Sequence, residues 1–299
     1  MKDNKLFMAI IGPMRLPFLV LVPVCVILGT ASAKWTGFQI DLLYLSLAFV
    51  GALSAHISVN ALNEYDDFKS GLDMITSRTP FSGGSGTLPS MPGRSVIVLI
   101  TGLISLAVTM LVGIYFIYKR GIWILPLGIL GVADILLYTR WLTKNPFLCL
   151  IAPGLGFGLM VLGTDFVLTG AYSSTSIFVS MVPFFMVSNL LLLNQFPDAK
   201  ADETIGRHHL PITMGRRASV FVFAAFIFCA YLTVAFGIVV GVIPLAGLLA
   251  LLTVVAAVPT ISGAYKFADD IPKLVSYMGK NVLVTLLTPL LLAVGLFLA

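Results

Sequence analysis

The chain has 299 residues, of which 59% are hydrophobic and only 10% are charged, and its mean hydropathy is +1.03. A soluble domain carries about 25% charged residues, so this composition excludes a soluble protein and indicates one that crosses the membrane many times. The formal charge of +5 does not indicate a nucleic-acid partner, because the lysines and arginines follow the rule for membrane topology set out below.

Nine apolar runs follow one another along the chain, and each is close to the length of about 20 residues that a membrane-spanning helix needs. The first run lacks a following cleavage site of small residues, so we expect it to be a permanent span rather than a signal peptide. These runs predict an all-α bundle of nine transmembrane helices that forms a single domain over residues 1–299. The predicted spans are 14–33, 41–63, 95–118, 121–139, 147–169, 175–196, 218–240, 243–263 and 278–298.

The lysines and arginines predict the orientation of the bundle. With the N-terminus in the cytoplasm, the outer loops receive only Lys34, Lys119 and Arg120, which leaves fifteen of the 18 cations, Lys2 and Lys5 among them, for the inner face. Positive charge concentrates on the cytoplasmic side of membrane proteins. We therefore expect the N-terminus and the long loops 64–94 and 197–217 in the cytoplasm, and the C-terminus outside.

Two motifs rich in aspartate and asparagine lie at the inner ends of the second and sixth spans. Their residues are Asn63, Asp67 and Asp73 in the first motif and Asn194, Asp198 and Asp202 in the second. Positions four apart share one face of a helix, and acids beside a bilayer are costly unless they have a function. Hard oxygen ligands of this kind suit Mg²⁺ bound together with a substrate phosphate, whereas no His/Cys cluster suggests zinc.

Several residues near the motifs are candidates for substrate contacts. Positioned cations can take up charge that develops on a leaving diphosphate, and the candidates are Arg15, Arg78, Lys144 and Arg207. Asn60 lies on the same predicted face as Asn63. The aromatic face of Tyr138, at the end of span four, could stabilise a carbocation. The glycine-rich segment 82–86 is favoured as a lid or linker over a phosphate cradle, and participation of Glu64, Asp66 and Asp134 is left open.

These residues resemble the UbiA superfamily of intramembrane prenyltransferases, and the resemblance covers essentially the whole chain. The stretch from Asn60 to Asp73, with its Gly-x-Asp ending, is most similar to the 1,4-dihydroxy-2-naphthoate prenyltransferase branch, as is Asn194-x3-Asp198-x3-Asp202 followed by Gly206-Arg207. The resemblance implies that the six motif residues bind metal, that the four cations bind diphosphate, and that Tyr138 lies where the prenyl group meets the acceptor. In two places the chain departs from the branch: Glu64 replaces an aspartate, and loop 138–146 lacks a glycine-rich stretch.

The resemblance implies a Mg²⁺-dependent transfer of a polyprenyl group from an allylic diphosphate to an aromatic acceptor, with 1,4-dihydroxy-2-naphthoate (menaquinone biosynthesis) as the expected one. Other acceptors remain open, namely 4-hydroxybenzoate, a chlorophyllide, haem or a glycerol phosphate lipid. A transporter would place its charges near the middle of the bilayer, whereas the acids of this sequence cluster at one face of the membrane. The Asp-x2-Asp-Gly-x2-Ala-Arg signature of CDP-alcohol phosphotransferases does not occur in the chain.

Overall fold

The computed structural model describes the backbone of residues 2–299 and the side chains of residues 6–299. The side chains of Lys2 and Lys5, which we counted on the inner face, therefore lie outside the described residues. Residues 2–299 contain helices, turns and loops and no strand, which confirms the all-α class. The protein is an integral membrane protein that crosses the bilayer many times.

An N-terminal helix, Lys2–Ile11, precedes nine apolar helices that we label α1 to α9. Their bounds are α1 Leu16–Trp35, α2 Leu42–Lys69, α3 Pro92–Arg120, α4 Ile122–Leu137, α5 Pro146–Thr169, α6 Ser174–Thr204, α7 Arg216–Val239, α8 Leu245–Lys266 and α9 Ile271–Leu298. Three single-turn helices, Leu72–Ile75, Thr87–Ser90 and Leu210–Thr213, lie in the loops after α2 and α6.

The count of nine apolar helices agrees with the sequence, and the largest differences in the bounds are at the ends of α2 and α6 and at the start of α9, which begins at Ile271 rather than at 278. Among the described residues, eight of these helices are long and apolar enough to cross a membrane, whereas α4 is shorter and begins as a 3₁₀ turn. Helix α2 continues to Lys69 and α6 to Thr204, beyond the predicted ends at 63 and 196. Asp67, Asp198 and Asp202 consequently lie on helices and not in loops. The last turns of α6 include good helix formers such as Ala199 and Lys200, which favour continuation of the helix past the apolar segment.

Side-chain caps determine where two of the cavity-forming helices begin. The Asp41 carboxylate accepts hydrogen bonds from the backbone N–H groups of Leu43 and Tyr44, at 2.8 and 3.1 Å, in the first turn of α2. Asn145 does the same for the first turn of α5, which starts with Pro146. Such caps satisfy backbone donors that have no partner within the helix, and proline is suited to the first turn.

Helices α5 and α6 approach each other closely along a seam of small residues. A Cβ atom added at Gly158 would lie 3.2 Å from the carbonyl oxygen of Ser180, and one added at Gly154 would collide with the backbone of Phe184. Gly154 and Gly158 are four residues apart, the spacing that lets membrane helices pack backbone to backbone. This contact fixes α6, which carries the second motif, against one wall of the cavity described below.

The ends of α2 and α6 that carry the motifs lie at the same end of the bundle. Side chains and loops link them directly: the backbone N–H of Gly83, in the loop after α2, donates a hydrogen bond of 3.2 Å to Asp198 on α6. Helices α1 and α6 are the most buried of the eight spans. The remaining helices of the first half, α2 to α5, surround an internal cavity whose mouth is formed by the motif residues.

Candidate active site

The two motifs are joined by one arginine. The Arg207 guanidinium forms ion pairs with Asp67 on α2 and with Asp202 on α6, the latter at 2.8 Å, and the arginine side chain is only 13% exposed. Burial lowers the pKa of Arg207, but the two carboxylates outweigh this effect and hold the pKa above its ordinary value. The guanidinium is therefore a permanent positive charge between the motifs.

The glycine-rich loop 82–86 is bonded to acids of both helices. Glu64 is fully buried and accepts hydrogen bonds from the backbone N–H of Ser85 at 2.9 Å and from its hydroxyl at 2.5 Å. Gly84 has a φ of +72°, and a Cβ there would lie 2.8 Å from Asp73 Oδ1. Only glycine allows both this conformation and this approach. The loop is thus held against the acids, which fits a lid better than a free linker.

Three oxygen atoms of the motifs are buried and have no hydrogen-bond partner: Asp73 Oδ2, Asn194 Oδ1 and Asp198 Oδ1. All three residues line the same cavity. Burial, together with the nearby carboxylates of Glu64 and Asp67, raises the pKa of Asp73 to about 7. Buried oxygens are normally paired, so these three are free to bind a cation, and carboxylate and amide oxygens are ligands that Mg²⁺ accepts. The motif residues fit a magnesium site.

The motif carboxylates are nevertheless not gathered into one compact cluster. Among the described side chains, no three His, Cys, Asp or Glu residues converge closely enough to hold a metal by themselves. Asp67 and Asp202 are engaged by Arg207, and Asp198 is engaged by the loop. A site of this form suits a metal that is bound jointly by protein oxygens and substrate phosphate.

The segment before α1 closes one side of the site. Arg15 donates to Asn63 Oδ1 at 3.1 Å and lies 3.4 Å from Glu64 Oε2. Asn60 donates to the carbonyl oxygen of Met14 at 3.0 Å. Arg15, Asn60 and Asn63 all line the cavity, so the predicted polar face of α2 both faces the site and anchors the N-terminal segment.

Two of the predicted cations lie away from the cavity. Arg78 is exposed, and it donates to the carbonyl oxygen of Gly83 at 3.2 Å, which braces the glycine-rich loop. Lys144 is exposed in the turn between α4 and α5. Neither residue lines the cavity. The structure brings Arg15 and Arg207 together with the acids and leaves Arg78 and Lys144 at the periphery.

Beneath the acids lies a long, mostly apolar cavity of ≈ 710 Å³. Its lining on α2 runs from Asp67 down to Ala48, which is roughly 28 Å at about 1.5 Å per residue, close to the thickness of the apolar core of a bilayer. Phe116 and Val167 line its far end. Tyr138 lines it near the acids, directly after the last residue of α4. The cavity is large enough for a small-molecule substrate, for which 300–1,000 Å³ is typical.

One residue of the site carried no sequence signal that we recognised. His209 is 1% exposed, and its Nε2 lies 2.9 Å from Asp202 Oδ2, so it orients that carboxylate towards Arg207. It lies in a loop, where helical spacing cannot identify it.

Comparisons with known proteins agree on one family. The model of the UbiA prenyltransferase family matches residues 20–273. The chain is 30% identical to the 1,4-dihydroxy-2-naphthoate octaprenyltransferase of Bacillus subtilis (strain 168) over 220 residues, which is 72% of this chain and 69% of that protein.

Two solved structures share the fold. One, of a digeranylgeranylglyceryl phosphate synthase, superposes with a TM-score of 0.70 at 15% identity and covers 100% of both chains. The other, of a UbiA homolog from Archaeoglobus fulgidus bound to GPP and Mg²⁺, superposes with a TM-score of 0.58 at 12% identity and covers 96% of this chain and 100% of that one.

We predict that Arg207→Gln destabilises the protein strongly in the absence of divalent cations. Removing one partner of a buried ion pair leaves uncompensated charge and costs about 3–5 kcal/mol. The measurement is the thermal unfolding midpoint in detergent with a chelator, and added Mg²⁺ should recover part of the loss because ligand binding stabilises the folded state. Arg217→Gln is the matched control, since Arg217 pairs with Asp269 at the surface, where ion pairs contribute little. Equal shifts in both variants would contradict the bridging role of Arg207.

Proposed function

We propose that this chain, which belongs to the UbiA prenyltransferase family and is a prenyltransferase, transfers a polyprenyl group from an allylic diphosphate to 1,4-dihydroxy-2-naphthoate. One observation carries the proposal: free carboxylate and amide oxygens and two partly buried arginines, Arg15 and Arg207, lie at the mouth of a long apolar cavity. A substrate with a charged diphosphate head and a hydrocarbon tail matches both ends of such a cavity. Residues 1–299 are proposed to act as one prenyltransferase domain.

Magnesium is the proposed cofactor. The residues that would hold it are the six of the two motifs, Asn63, Asp67, Asp73, Asn194, Asp198 and Asp202. When bound, Mg²⁺ would neutralise charge on the diphosphate and so favour its departure. The free oxygens of Asp73, Asn194 and Asp198 support this assignment, as does the relative from A. fulgidus, which was solved with GPP and Mg²⁺.

The arginines are proposed to bind the leaving diphosphate. Arg207 and Arg15 line the cavity beside the motif residues, and charged donors placed where negative charge develops stabilise a transition state strongly. Arg78 and Lys144 are proposed as outer contacts of the same group. They also share the end of the bundle at which a substrate head would enter.

The apolar wall is proposed to protect the allylic cation that remains after the diphosphate departs. Water would capture this cation, so a site that excludes water favours transfer to the acceptor. Tyr138 lines the cavity next to the acids, where its ring can offer the negative face of its π system to the cation. Asp67, Asp198 and Tyr138 are thus the residues proposed to act directly on the reacting groups.

The acceptor is supported by similarity to one relative. The B. subtilis protein to which this chain is 30% identical is named for 1,4-dihydroxy-2-naphthoate, and Gly71-x-Asp73 has the spacing expected for that branch. The electron-rich ring of 1,4-dihydroxy-2-naphthoate attacks a cation readily. The digeranylgeranylglyceryl phosphate synthase is only 15% identical and indicates a shared fold alone.

We predict that Asp67→Asn and Asp198→Asn each abolish prenyl transfer while the protein still folds. Each change removes an anionic ligand but keeps the size of the side chain. The loss of several kcal/mol of electrostatic stabilisation slows turnover by about a hundredfold or more. Turnover of a labelled prenyl diphosphate is the readout, with Asp269→Asn as the control because Asp269 is exposed and does not line the cavity. Near-normal activity in either motif variant would refute the assigned ligand set.

Acceptor choice is tested with the purified enzyme, Mg²⁺ and one polyprenyl diphosphate. We expect conversion of 1,4-dihydroxy-2-naphthoate and a much lower rate with 4-hydroxybenzoate, because the smaller ring leaves part of the pocket unfilled. A preference for 4-hydroxybenzoate, or turnover only with a glycerol phosphate lipid, would overturn the acceptor and leave the prenyltransferase activity intact.

The site is proposed to face the cytoplasm, with the C-terminus outside, on the basis of the distribution of lysine and arginine. In a variant without Cys25, Cys149 and Cys229, single cysteines at Ser77 and Ala299 should react with a membrane-impermeant thiol reagent from opposite sides. Both positions are exposed, and Ser77 lies in the loop after α2. Labelling of both from one side would refute this topology.

A further inference from the structure

Asp134 is a carboxylic acid in the cavity wall that neither motif includes. It lies on α4, lines the cavity, and its Oδ1 is buried without a hydrogen-bond partner. Its Oδ2 faces Gly156 on α5, where an added Cβ would lie 3.0 Å away. The missing side chain at Gly156 leaves the space that the carboxyl group occupies.

The surroundings of Asp134 do not explain its presence. Carboxyl groups within membrane helices are costly and generally face a cavity with a functional partner. Its neighbours on the same stretch of α4, such as Ala133 and Ile135, are apolar, and none of the four candidate arginines and lysines forms an ion pair with it. Because Asp134 lines the cavity, its unpaired oxygen is available to a hydrogen-bond donor on a bound substrate.

The position of Asp134 relative to Tyr138 indicates which substrate supplies that donor. The two residues are four apart, so their side chains lie on one face of the chain at the end of α4, and the Tyr138 N–H donates to the Asp134 carbonyl oxygen at 3.0 Å. Tyr138 lies next to the acids that would bind diphosphate, and Asp134 lies one turn farther from them. This places the carboxyl group in the cavity wall about one helical turn inward of the diphosphate site, beside the reacting end of the prenyl group.

We propose that Asp134 accepts a hydrogen bond from a ring hydroxyl of the aromatic acceptor and takes up its proton as the ring attacks the allylic carbon; this inference rests on the proposed function. The assignment gives the carboxylate oxygen the donor that the protein lacks. It also makes the attacking ring more electron-rich at the moment when the cation forms.

The proposed step balances as follows. The carbon–oxygen bond to diphosphate breaks and its electron pair leaves with the diphosphate. A π electron pair of the ring forms the new carbon–carbon bond, while the hydroxyl proton moves to the ionised Asp134 and leaves a ring ketone. When the attack is at a ring C–H, the attacked carbon releases this hydrogen as a proton to the departed diphosphate, and the electron pair from that bond restores the aromatic ring. The ketone oxygen recovers its proton from Asp134, which returns to its initial state.

The other polar groups near this part of the cavity are less suited to the step. A tyrosine phenol has a pKa of about 10 in water and remains protonated, so Tyr138 is not a proton acceptor. His56 also lines the cavity and has an unpaired Nδ1, but its ring is packed edge-on against Phe157 with centroids 5.0 Å apart. Asp134 is the carboxyl group of the cavity wall that lies adjacent to Tyr138 along α4.

The test compares Asp134→Asn with wild type on the dihydroxy acceptor and on each of its two mono-O-methyl ethers. With the dihydroxy acceptor, the variant should lose about 10²–10⁴-fold in kcat/KM, the usual contribution of general base catalysis, while the KM for the prenyl diphosphate stays unchanged. The ether that lacks the hydroxyl bound by Asp134 should lower the wild-type rate to that of the variant. With this ether, Asp134→Asn should cause no further loss of rate. Asp134→Glu should recover part of the activity.

Asp165→Asn is the matched control. Asp165 is also a fully buried acid on a membrane helix with unpartnered oxygens, but it does not line the cavity, so its substitution should leave the acceptor dependence unchanged. An equal loss of activity with hydroxyl and ether acceptors, or no loss in Asp134→Asn, would overturn the role of Asp134 alone. A wild-type enzyme that prenylates no hydroxylated ring would overturn both this inference and the proposed function.

Discussion

The ion pairs of Arg207 with Asp67 and Asp202 are the interaction on which the site depends. They connect the end of α2 to the end of α6, two helices from different halves of the chain. The Arg207 guanidinium reduces the repulsion between the carboxylates of Asp67 and Asp202. Since it carries one positive charge and they carry two negative charges, the three groups together keep a net negative charge. The excess makes the mouth of the cavity receptive to cations even with the arginine in place.

The glycine-rich loop complements this bridge by hydrogen bonding to acids that Arg207 does not reach. Glu64 binds Ser85, and Asp198 binds Gly83. Charge-assisted hydrogen bonds of this kind are stronger than neutral ones, so the acids themselves determine the path of the loop. The position of this loop is consequently coupled to the charge state of the acids to which it is bonded.

The sequence predicted the helices and motifs because both depend on local spacing. The apolar runs define the spans, and the four-residue steps of Asn63–Asp67 and Asn194–Asp198–Asp202 place these residues on one face of a helix. The extension of α2 and α6 beyond their apolar runs was not predicted, since hydropathy alone marks the edge of the apolar layer rather than the end of a helix.

The contacts made by Gly83, Ser85 and His209 depend on how distant segments fold against one another, and no periodic pattern reveals them. The same is true of the difference between Arg207, which pairs with motif carboxylates, and Arg78, which donates to the backbone carbonyl oxygens of Gly83 and Asp73.

Helix α2 is a single rigid rod of 28 residues that carries Asp67 near one end and Ala48, deep in the cavity, near the other. The depth of the cavity is therefore set by the fixed rise of an α-helix. Inserting one residue between these positions would rotate Asp67 by about 100° relative to the cavity wall. The cavity therefore cannot be deepened by lengthening α2 one residue at a time. Variation in how much hydrocarbon the cavity holds must instead come from the bulk of side chains at its floor, such as Phe116, or from a tail that bends out between helices.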